Sequence, residues 1–336
     1  MNVLLIQIKR IGDLILTVPA IAALRKDFPS AKISLVVAHG SRDLLPAIPG
    51  IDHAFVARGR LSDAGQWFAL AKTKFDYCLD FSRNDRSAFL TVLSGAKKRI
   101  TYDTIRREPL RQLSYNEFVP SQVRFVHTVD HHLALLAPLG VHDASSEIHL
   151  VLPPAAKKRA AAAIAEKQLG EDFVVIHPGS ARAEKFWVAR RWAEMADRMG
   201  WRHRFVLTGG KARMEQEHIA RIKAQLQRPV ADLSGQLDLL SLAALIQRAR
   251  LLVTIDSAPM HLAGALGTPQ VTLFGPTNPF HWYPRASPAV ILRAGNIGPA
   301  TSFAPKQLSR PMKEISTQEV IDAMQTLLSA LAAPVA

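Results

Sequence analysis

The chain has a single cysteine, Cys78, among its 336 residues. One thiol excludes an internal disulfide framework and is typical of proteins that stay in a reducing cytosol. The first apolar stretch, residues 3–8, runs directly into Lys9 and Arg10, so it is too short for the core of a signal peptide. No run of 18 or more apolar residues follows. We therefore expect a soluble protein that is not secreted.

Several binding motifs are also missing. The chain contains no G-x-G-x-x-G fingerprint, no P-loop, no pair of cysteines and no Asp-x-Asp sequence. These absences argue against a dinucleotide-dependent dehydrogenase, a kinase-like NTPase and a zinc site. Neither coiled-coil heptads nor low-complexity segments occur, and 48% of the residues are hydrophobic, as in ordinary globular proteins.

The charge is unbalanced, with a formal net value of +14. Residues 1–152 hold 19 Lys and Arg against 14 Asp and Glu, and residues 82–124 alone hold 9 against 4, so this segment carries the excess of the first half. A basic patch of this kind binds nucleic acid, an anionic membrane or a phosphorylated substrate. The alternative is a solvated charged face without a ligand.

Short apolar runs alternate with segments of helical periodicity along the whole chain, a pattern typical of a doubly wound parallel α/β sheet. In the first half we predict strands at 3–8, 32–38, 53–56, 77–81 and 98–101, and helices at 13–26, 67–74, 86–93 and 128–139. The pattern restarts after Pro153 and Pro154, with strands at 172–176, 204–207, 230–232, 251–255 and 270–274. The sequence thus predicts two Rossmann-like domains, 1–154 and 155–312, and a last helix within 313–336.

A polar turn at residues 256–261 joins the strand at 251–255 to a helix. Asp256 and Ser257 are good N-cap residues, and the small Ala258 leaves the following amides uncovered. A helix N-terminus of this kind binds anions such as a diphosphate. The alternative is a plain strand-to-helix cap.

The longer string D-S-A-P-M-H-L-A-G-A-L-G-T-P, followed by L-F-G-P-T-N-P, resembles the donor-binding signature of glycosyltransferase family 9, the bacterial lipopolysaccharide heptosyltransferases. The resemblance recurs at residues 6–19 and 177–187. It implies the GT-B fold, in which two Rossmann-like domains face a central cleft, the first holding the acceptor and the second the nucleotide sugar. In that fold the last helix, here within 313–336, often packs back on the first domain.

The resemblance also implies roles for individual residues. Asp13 matches the general base that takes the acceptor's proton, and Lys185 matches the lysine that stabilises the leaving diphosphate. The alternatives are that Asp13 is a helix cap and that Lys185 is a surface lysine beside an aromatic residue. Nine further residues are expected to bind the donor: His177, Ser180, Asp256, Ser257, Ala258, Met260, His261, Thr277 and Asn278.

The roles of several other residues are expected from their position in the chain. Thr277 and Asn278 would close the sugar pocket or else form a proline-framed turn, and Trp187 is expected in the core. The acid that family members place after the glycines of the strand at 204–207 is absent at positions 212 and 213, and the nearest acid is Glu215. For the anionic acceptor we favour four cations of the first domain over the run at 97–99, which lies on the membrane-facing rim or is solvated: Lys9, Arg10, Arg83 and Arg86.

The sequence therefore predicts an inverting, metal-independent transferase without a cofactor, which moves heptose from ADP-heptose to a lipid-anchored core oligosaccharide. We expect it in the cytoplasm, bound peripherally to the anionic inner face of the inner membrane, and without nucleic acid. Residues 256–261 and T-N-P-F-H-W-Y-P look most similar to the heptosyltransferase III type. The alternatives are another nucleotide sugar, a sugar-nucleotide epimerase, or a non-enzymatic basic module that binds membrane or nucleic acid.

Overall fold

The computed structural model describes residues 1–59, 63–296, 298–300 and 304–332. The chain divides into two compact units, Met1–Val151 and Leu152–Ala336. Each unit is built around its own parallel sheet with helices on the faces.

The first unit holds a parallel sheet that has six strands among the described residues, in the order β3-β2-β1-β4-β5-β6. The strands are β1 (Asn2–Gln7), β2 (Lys32–Ala38), β3 (His53–Ala57), β4 (Tyr77–Asp80), β5 (Lys98–Tyr102) and β6 (Glu117–Val119). The helices are α1 (Ile11–Ile15), α2 (Val18–Asp27), α3 (Ala64–Lys72), α4 (Asp85–Leu93), α5 (Pro109–Gln112) and α6 (Thr128–Ala134). Short 3₁₀ turns span His39–Ala47, Asp103–Arg107 and Ala137–Leu139.

The second unit repeats this plan, and its described part forms six parallel strands in the order β12-β11-β10-β7-β8-β9. The strands are β7 (Phe173–His177), β8 (Arg204–Leu207), β9 (Ala231–Asp232), β10 (Leu251–Ile255), β11 (Gln270–Phe274) and β12 (Ala289–Arg293). The helices are α7 (Pro154–Glu166), α8 (Ala189–Met199), α9 (Arg213–Lys223), α10 (Leu239–Arg248), α11 (Ala258–Leu266) and α12 (Thr317–Ala332). Both orders are the doubly wound Rossmann arrangement, so the predicted fold class is confirmed.

The central strands are buried on both faces, because helices cover both sides of a parallel sheet. Every residue of β7, β10 and β11 is buried. The buried side chains of α12, among them Val320 and Met324, belong to the apolar core of the second unit. The expectation that the segment 313–336 packs back on the first domain stays a prediction.

Local predictions fail at two kinds of place. The single helix expected at 13–26 is two helices, because the chain breaks at Leu16 and Thr17, where the Thr17 hydroxyl donates to the Asp13 carbonyl at 2.8 Å. Pro19 lies in the first turn of α2, a position that proline favours. Strands β6 and β12 were not predicted. Both lie at the end of a sheet, and edge strands have weaker hydrophobic patterns.

Each sheet has a switch point, at which the strand order reverses and ligands of doubly wound folds bind. In the first sheet it lies between β1 and β4, and in the second between β7 and β10. The predicted catalytic residues Asp13 and Lys185 follow β1 and β7, while Arg83 and Asp256 follow β4 and β10.

Candidate functional site

The loops at the switch point of the first unit are held together by backbone and hydroxyl contacts. The Ile8 amide donates to the Ser82 hydroxyl at 2.8 Å, and the Phe81 amide donates to the Ile6 carbonyl at 3.1 Å. The segment that follows β1 is therefore fixed against the segment that follows β4.

Asp13 is half-buried and lies in the first turn of α1. The cap residue of this helix is Arg10, whose amide donates to the Asp13 carboxylate at 3.3 Å. The alternative that Asp13 is the N-cap is therefore wrong by three positions. At 3.3 Å this hydrogen bond is long, so it restrains the carboxylate only weakly.

Lys9 lies near this carboxylate and also near Arg83. Burial lowers the pKa of Lys9, nearby Asp13 opposes that effect and nearby Arg83 adds to it. Arg83 has a left-handed backbone with φ of 57°, which is uncommon for a residue with a side chain. Its guanidinium donates to the Thr104 hydroxyl at 2.5 Å and lies 5.2 Å from the centre of the Tyr102 ring.

The other two predicted acceptor residues are on the surface. Arg10 and Arg86 are both exposed, and the Arg86 guanidinium lies over Gly59, where an added Cβ would be 3.2 Å from it. The three lysines and arginines at 97–99 lie at the opposite, amino end of the strands. Lys97 pairs with Asp76 and Lys98 pairs with Glu117, each at 2.8 Å.

The sequence interpretation missed Asp80, which ends β4 and is fully buried. Its carboxylate accepts from the amides of Ser82 and Arg83 at 2.7 and 3.2 Å, and from the hydroxyls of Ser87 and Tyr115 at 2.7 and 2.5 Å. Burial raises the pKa of Asp80. These bonds shape the loop that carries Arg83, and an acid at the end of a buried strand was the signal in the sequence.

In the second unit, Lys185, Asp256 and Thr277 form one buried cluster. The Lys185 ammonium lies 2.6 Å from Asp256 Oδ2 and donates to the Asp256 carbonyl at 3.1 Å. The Thr277 hydroxyl donates to the same Oδ2 at 2.7 Å. Lys185 is 8% exposed and Asp256 7%, so the alternative that Lys185 is a surface lysine is wrong.

Asp256 also stands directly before the N-terminus of α11, whose cap residue is Ser257. The Ser257 hydroxyl donates to the Ile255 carbonyl at 3.2 Å. The Met260 amide donates to the Ser257 carbonyl at 3.1 Å, and the Met260 side chain packs with Phe274. The Met260 amide thus has a backbone partner, while the role of Met260 in donor binding stays a prediction, and Ala258 is the first residue of the helix.

His177 ends β7 and is buried. Its Nδ1 lies 3.0 Å from the Thr208 hydroxyl, and that hydroxyl donates to the Ile176 carbonyl at 3.0 Å. Nδ1 therefore carries the proton and donates to the Thr208 oxygen. Burial lowers the pKa of His177 to about 4, so the ring is neutral near pH 7.

Glu215, in the first turn of α9, occupies a pocket formed by glycines. Its carboxylate accepts from the Gly210 amide at 2.8 Å and lies 3.5 Å from His177 Nε2. A Cβ added at Gly179 would be 1.7 Å from Glu215 Oε1, so only glycine fits there. Burial raises the pKa of Glu215. An acid was expected at position 212 or 213, and Glu215 instead reaches back to the glycine loop from the third residue of α9. An acid at the third position of a helix was the signal in the sequence, because such a side chain often bonds to an amide before the helix.

The remaining predicted donor residues lie in the loops after β7 and β11 and in α11. Ser180 is half-buried, and its hydroxyl accepts from the Arg182 amide at 3.3 Å. His261 is buried in the first turns of α11. Asn278 caps a short turn by accepting from the Phe280 amide at 3.1 Å and donates to the Ala304 carbonyl at 2.9 Å, which favours the turn over a role in the sugar pocket.

Three further properties concern the core residue Trp187, metal ions and membrane spans. Trp187 is fully buried and donates to the Ile315 carbonyl at 2.9 Å, so its expected place in the core is confirmed. Across the described residues, no three His, Cys, Asp or Glu side chains are grouped as a metal ion requires. No helix in the part of the chain that the structure describes is long and apolar enough to cross a bilayer.

Comparison with known proteins identifies the family to which the chain is similar. The family model of glycosyltransferase family 9 (heptosyltransferase) matches residues 66–312. Lipopolysaccharide heptosyltransferase 3 of Escherichia coli is 29% identical over 296 residues, which cover 85% of this chain and 86% of that protein.

Solved structures share the fold over almost the whole chain. A glycosyl transferase family 9 structure from Veillonella parvula has a TM-score of 0.84 and 26% identity, and the match covers 98% of this chain and 97% of that one. The E. coli heptosyltransferase WaaC with ADP-2-deoxy-2-fluoro heptose has a TM-score of 0.73 and 21% identity, with 97% and 99% covered. Since the family model spans most of both units, the chain belongs to glycosyltransferase family 9, the heptosyltransferases.

Proposed function

We propose that the protein transfers L-glycero-D-manno-heptose from its ADP derivative to the inner core of lipopolysaccharide, with inversion, without a metal ion, and at the inner face of the bacterial inner membrane. The observation that carries the proposal is the cluster of Lys185, Asp256 and the N-terminus of α11 at the switch point of the second sheet. A cation beside a helix N-terminus suits a diphosphate.

The proposed reaction is a single displacement. The Asp13 carboxylate takes the proton of an acceptor hydroxyl, and the hydroxyl oxygen forms a bond to the anomeric carbon of heptose from the side opposite the diphosphate. The bond between that carbon and the diphosphate oxygen breaks, and ADP leaves with the electron pair. Attack from the opposite side inverts the anomeric carbon.

Lys185 keeps the capacity to bind the leaving group despite its ion pair. An ammonium has three N–H donors, and the contacts with Asp256 use two of them, one to Oδ2 and one to the carbonyl. The third is available for a phosphate oxygen. We propose that Asp256 aims the ammonium and that Thr277, which donates to the same Oδ2, keeps the carboxylate in place.

The donor nucleotide is proposed from two lines of support. The related WaaC was solved with an ADP-heptose analogue. In this chain Glu215 provides an acid in the glycine loops after β7 and β8, and we propose that it binds the ribose hydroxyls there. The neutral ring of His177 lies beside it, with Nε2 3.5 Å from the Glu215 carboxylate.

The acceptor is proposed to bind to the first unit. Lys9 lies near Asp13 and near Arg83, and the charges of Lys9 and Arg83 suit the carboxylates and phosphates of a core oligosaccharide. Arg10 and Arg86 are exposed and would contact more distant anionic groups of the same acceptor. The heptosyltransferase III type, which adds heptose to a heptose already in place, is proposed from the relative with 29% identity.

The decisive experiment is mass spectrometry of the products formed from ADP-heptose and a truncated lipooligosaccharide, with NMR of the new linkage. We expect a product that is heavier by one heptose and has an inverted anomeric carbon. The reaction should proceed in the presence of a metal chelator, and adding Mg²⁺ or Fe²⁺ should not raise its rate. Calorimetry should show tighter binding of ADP than of UDP or GDP. Tight UDP binding would favour another nucleotide sugar, and salt-sensitive nucleic-acid binding without nucleotide affinity would favour a basic binding module.

A further inference from the structure

The outer surface of α3, α4 and α5 carries large apolar side chains that are exposed to solvent. Phe68 on α3 is 62% exposed, and Phe89 and Val92 on α4 are 58% and 56% exposed. Leu110 on α5 is 84% exposed, and Leu113, which caps α5, is 74% exposed. Several large apolar side chains exposed on one layer of a protein are typical of an interaction site.

These three helices lie on the same face of the first sheet. The strand order shows that the connections from β3 to β4, β4 to β5 and β5 to β6 all move across the sheet in one direction. Right-handed crossovers in one direction place their helices on one face. Contacts agree, since Leu70 of α3 and Leu90 of α4 share one apolar cluster. The Arg111 guanidinium of α5 pairs with Asp85 of α4 at 3.1 Å.

On α4 the exposed apolar residues point away from the sheet. Phe89 and Val92 are three positions apart and share one side of the helix, while Ser87, Leu90 and Thr91 are buried on the other. The apolar exposure is therefore a property of the outer surface, which we call the α3–α5 face and define by Phe68, Phe89, Val92, Leu110 and Leu113.

The charges around the α3–α5 face are mostly positive. The acids Asp85 and Glu108 both pair with Arg111, at 3.1 and 3.0 Å, so these three side chains together carry one net negative charge. Lys72 lies 4.2 Å from the centre of the Phe68 ring. Among the described residues of this layer, four further cations are exposed: Lys72, Arg86, Arg106 and Arg107.

We propose that the α3–α5 face docks the protein on an anionic lipid bilayer. Apolar side chains that project between cations are the pattern of a surface that lies in a membrane interface, because the side chains enter the acyl boundary while the cations meet lipid phosphates. The inference rests on the proposed function in one respect, namely that a lipid-anchored acceptor is presented at such a bilayer. The basic run at 97–99 does not belong to the docking surface, because its two lysines form ion pairs at the opposite end of the sheet.

Co-sedimentation of the full chain with vesicles tests the proposal. We expect binding to vesicles of phosphatidylglycerol and phosphatidylethanolamine, weaker binding at high salt, and little binding to phosphatidylcholine alone. The affinity of the double variant Leu110→Ser with Leu113→Ser for these vesicles should be at least about tenfold lower, since two exposed leucines no longer enter the bilayer. Phe89→Ser with Val92→Ser should do the same.

Matched controls come from the second unit, where Trp201 and Leu308 are 63% and 86% exposed. Trp201→Ser with Leu308→Ser should leave vesicle binding unchanged, and all variants should keep the wild-type circular dichroism and melting temperature. Wild-type binding by both face variants, or equal binding to neutral vesicles, would overturn the proposal. So would a wild-type dimer that the face variants convert to monomer, because the face would then join two copies of the chain.

The experiment also separates this inference from the proposed reaction. Face variants should transfer heptose to a delipidated, water-soluble acceptor at the wild-type rate. If the wild type transfers heptose but does not bind vesicles, docking is wrong and the reaction stands. If vesicle binding depends on the α3–α5 face but no heptose is transferred, the reaction is wrong and docking stands.

Discussion

Lys185 and Asp256 form a buried ion pair, with Nζ 2.6 Å from Oδ2, although 71 residues separate them in the chain. The pair joins the loop after β7 to the loop after β10, which are the two loops at the switch point of the second sheet. Both charges are almost fully removed from water. A buried charge that loses its partner is costly, so each residue of the pair depends on the other.

Lys185→Met tests this dependence. The variant leaves the Asp256 carboxylate buried without its cation, and we expect the second unit to lose about 3 kcal/mol of stability, together with most of its affinity for ADP. Denaturant unfolding and calorimetry measure the two effects. Lys167→Met, at a lysine that pairs only with its neighbour Glu166 at 2.9 Å, is the control and should change neither. An unchanged unfolding midpoint in Lys185→Met would show that the pair is absent in solution.

Thr277 contributes to the same cluster through its hydroxyl. Thr277→Val removes a hydrogen bond to a buried carboxylate and should cost about 1 to 2 kcal/mol, whereas Thr277→Ser keeps the donor and should cost much less. If Asp256 aims Lys185, Thr277→Val also lowers kcat more than it raises the KM for the donor. A larger loss in Thr277→Ser than in Thr277→Val would indicate that Thr277 acts through its methyl group in packing.

Asp13→Asn tests the proposed general base. The amide is nearly the same size and accepts the bond from the Arg10 amide, but it cannot take a proton, so kcat should fall by about 10² to 10⁴ while ADP binding is kept. Asp27→Asn, at an exposed acid that ends α2, is the control and should retain wild-type activity. Substantial transfer by Asp13→Asn would remove Asp13 from the base role.

Gly179→Ala tests the glycine pocket around Glu215. The added Cβ would lie 1.7 Å from Glu215 Oε1, so we expect about 1 to 3 kcal/mol of destabilisation. Combining it with Glu215→Ala removes the clashing atoms, and the double variant should be less destabilised than the sum of the single changes. Gly40→Ala, where the described residues leave the Cβ position open, is the control. Strict additivity would mean that Glu215 does not occupy the pocket.

The sequence was sufficient for the fold where the hydrophobic signal is strong. Buried central strands such as β1 and β10 are continuous apolar runs, and the repeated alternation with helices predicts two doubly wound sheets. The signal was weak at the edges, where β6 has three residues and follows a short helix. The break after α1 was also missed, because the apolar spacing continues through Leu16 and Thr17.

The site was predictable as a set of positions but not as a set of contacts. A residue that follows a central strand can be placed at a switch point from the sequence, as Asp256 was, whereas the roles of Asp13 and Lys185 were expected from the family resemblance. The partner of Lys185 depends on the register of β7 beside β10. The contact of Glu215 with Gly179 depends on where α9 begins. Neither this contact nor the partner of Lys185 can be predicted from the local sequence pattern.

His177 gives a prediction about pH. Burial lowers its pKa to about 4 in the folded chain, against about 6.5 for an exposed histidine. Between these values the unfolded state binds a proton that the folded state does not, so the stability that His177 contributes is present above pH 6.5 and is lost as the pH falls towards 4. The loss is about 1.4 kcal/mol per pH unit within that window.

Urea unfolding followed by tryptophan fluorescence at several pH values measures this loss, because Trp187 and Trp192 are buried in the second unit. His177→Gln has no titrating ring, so its stability should fall less steeply than that of the wild type between pH 7 and pH 4.5. The exposed His142 provides the control, since His142→Gln should keep the wild-type slope. Parallel curves for the wild type and His177→Gln would mean that the ring takes up its proton in the folded state, in which case the carboxylate of Glu215, 3.5 Å from Nε2, would be its partner.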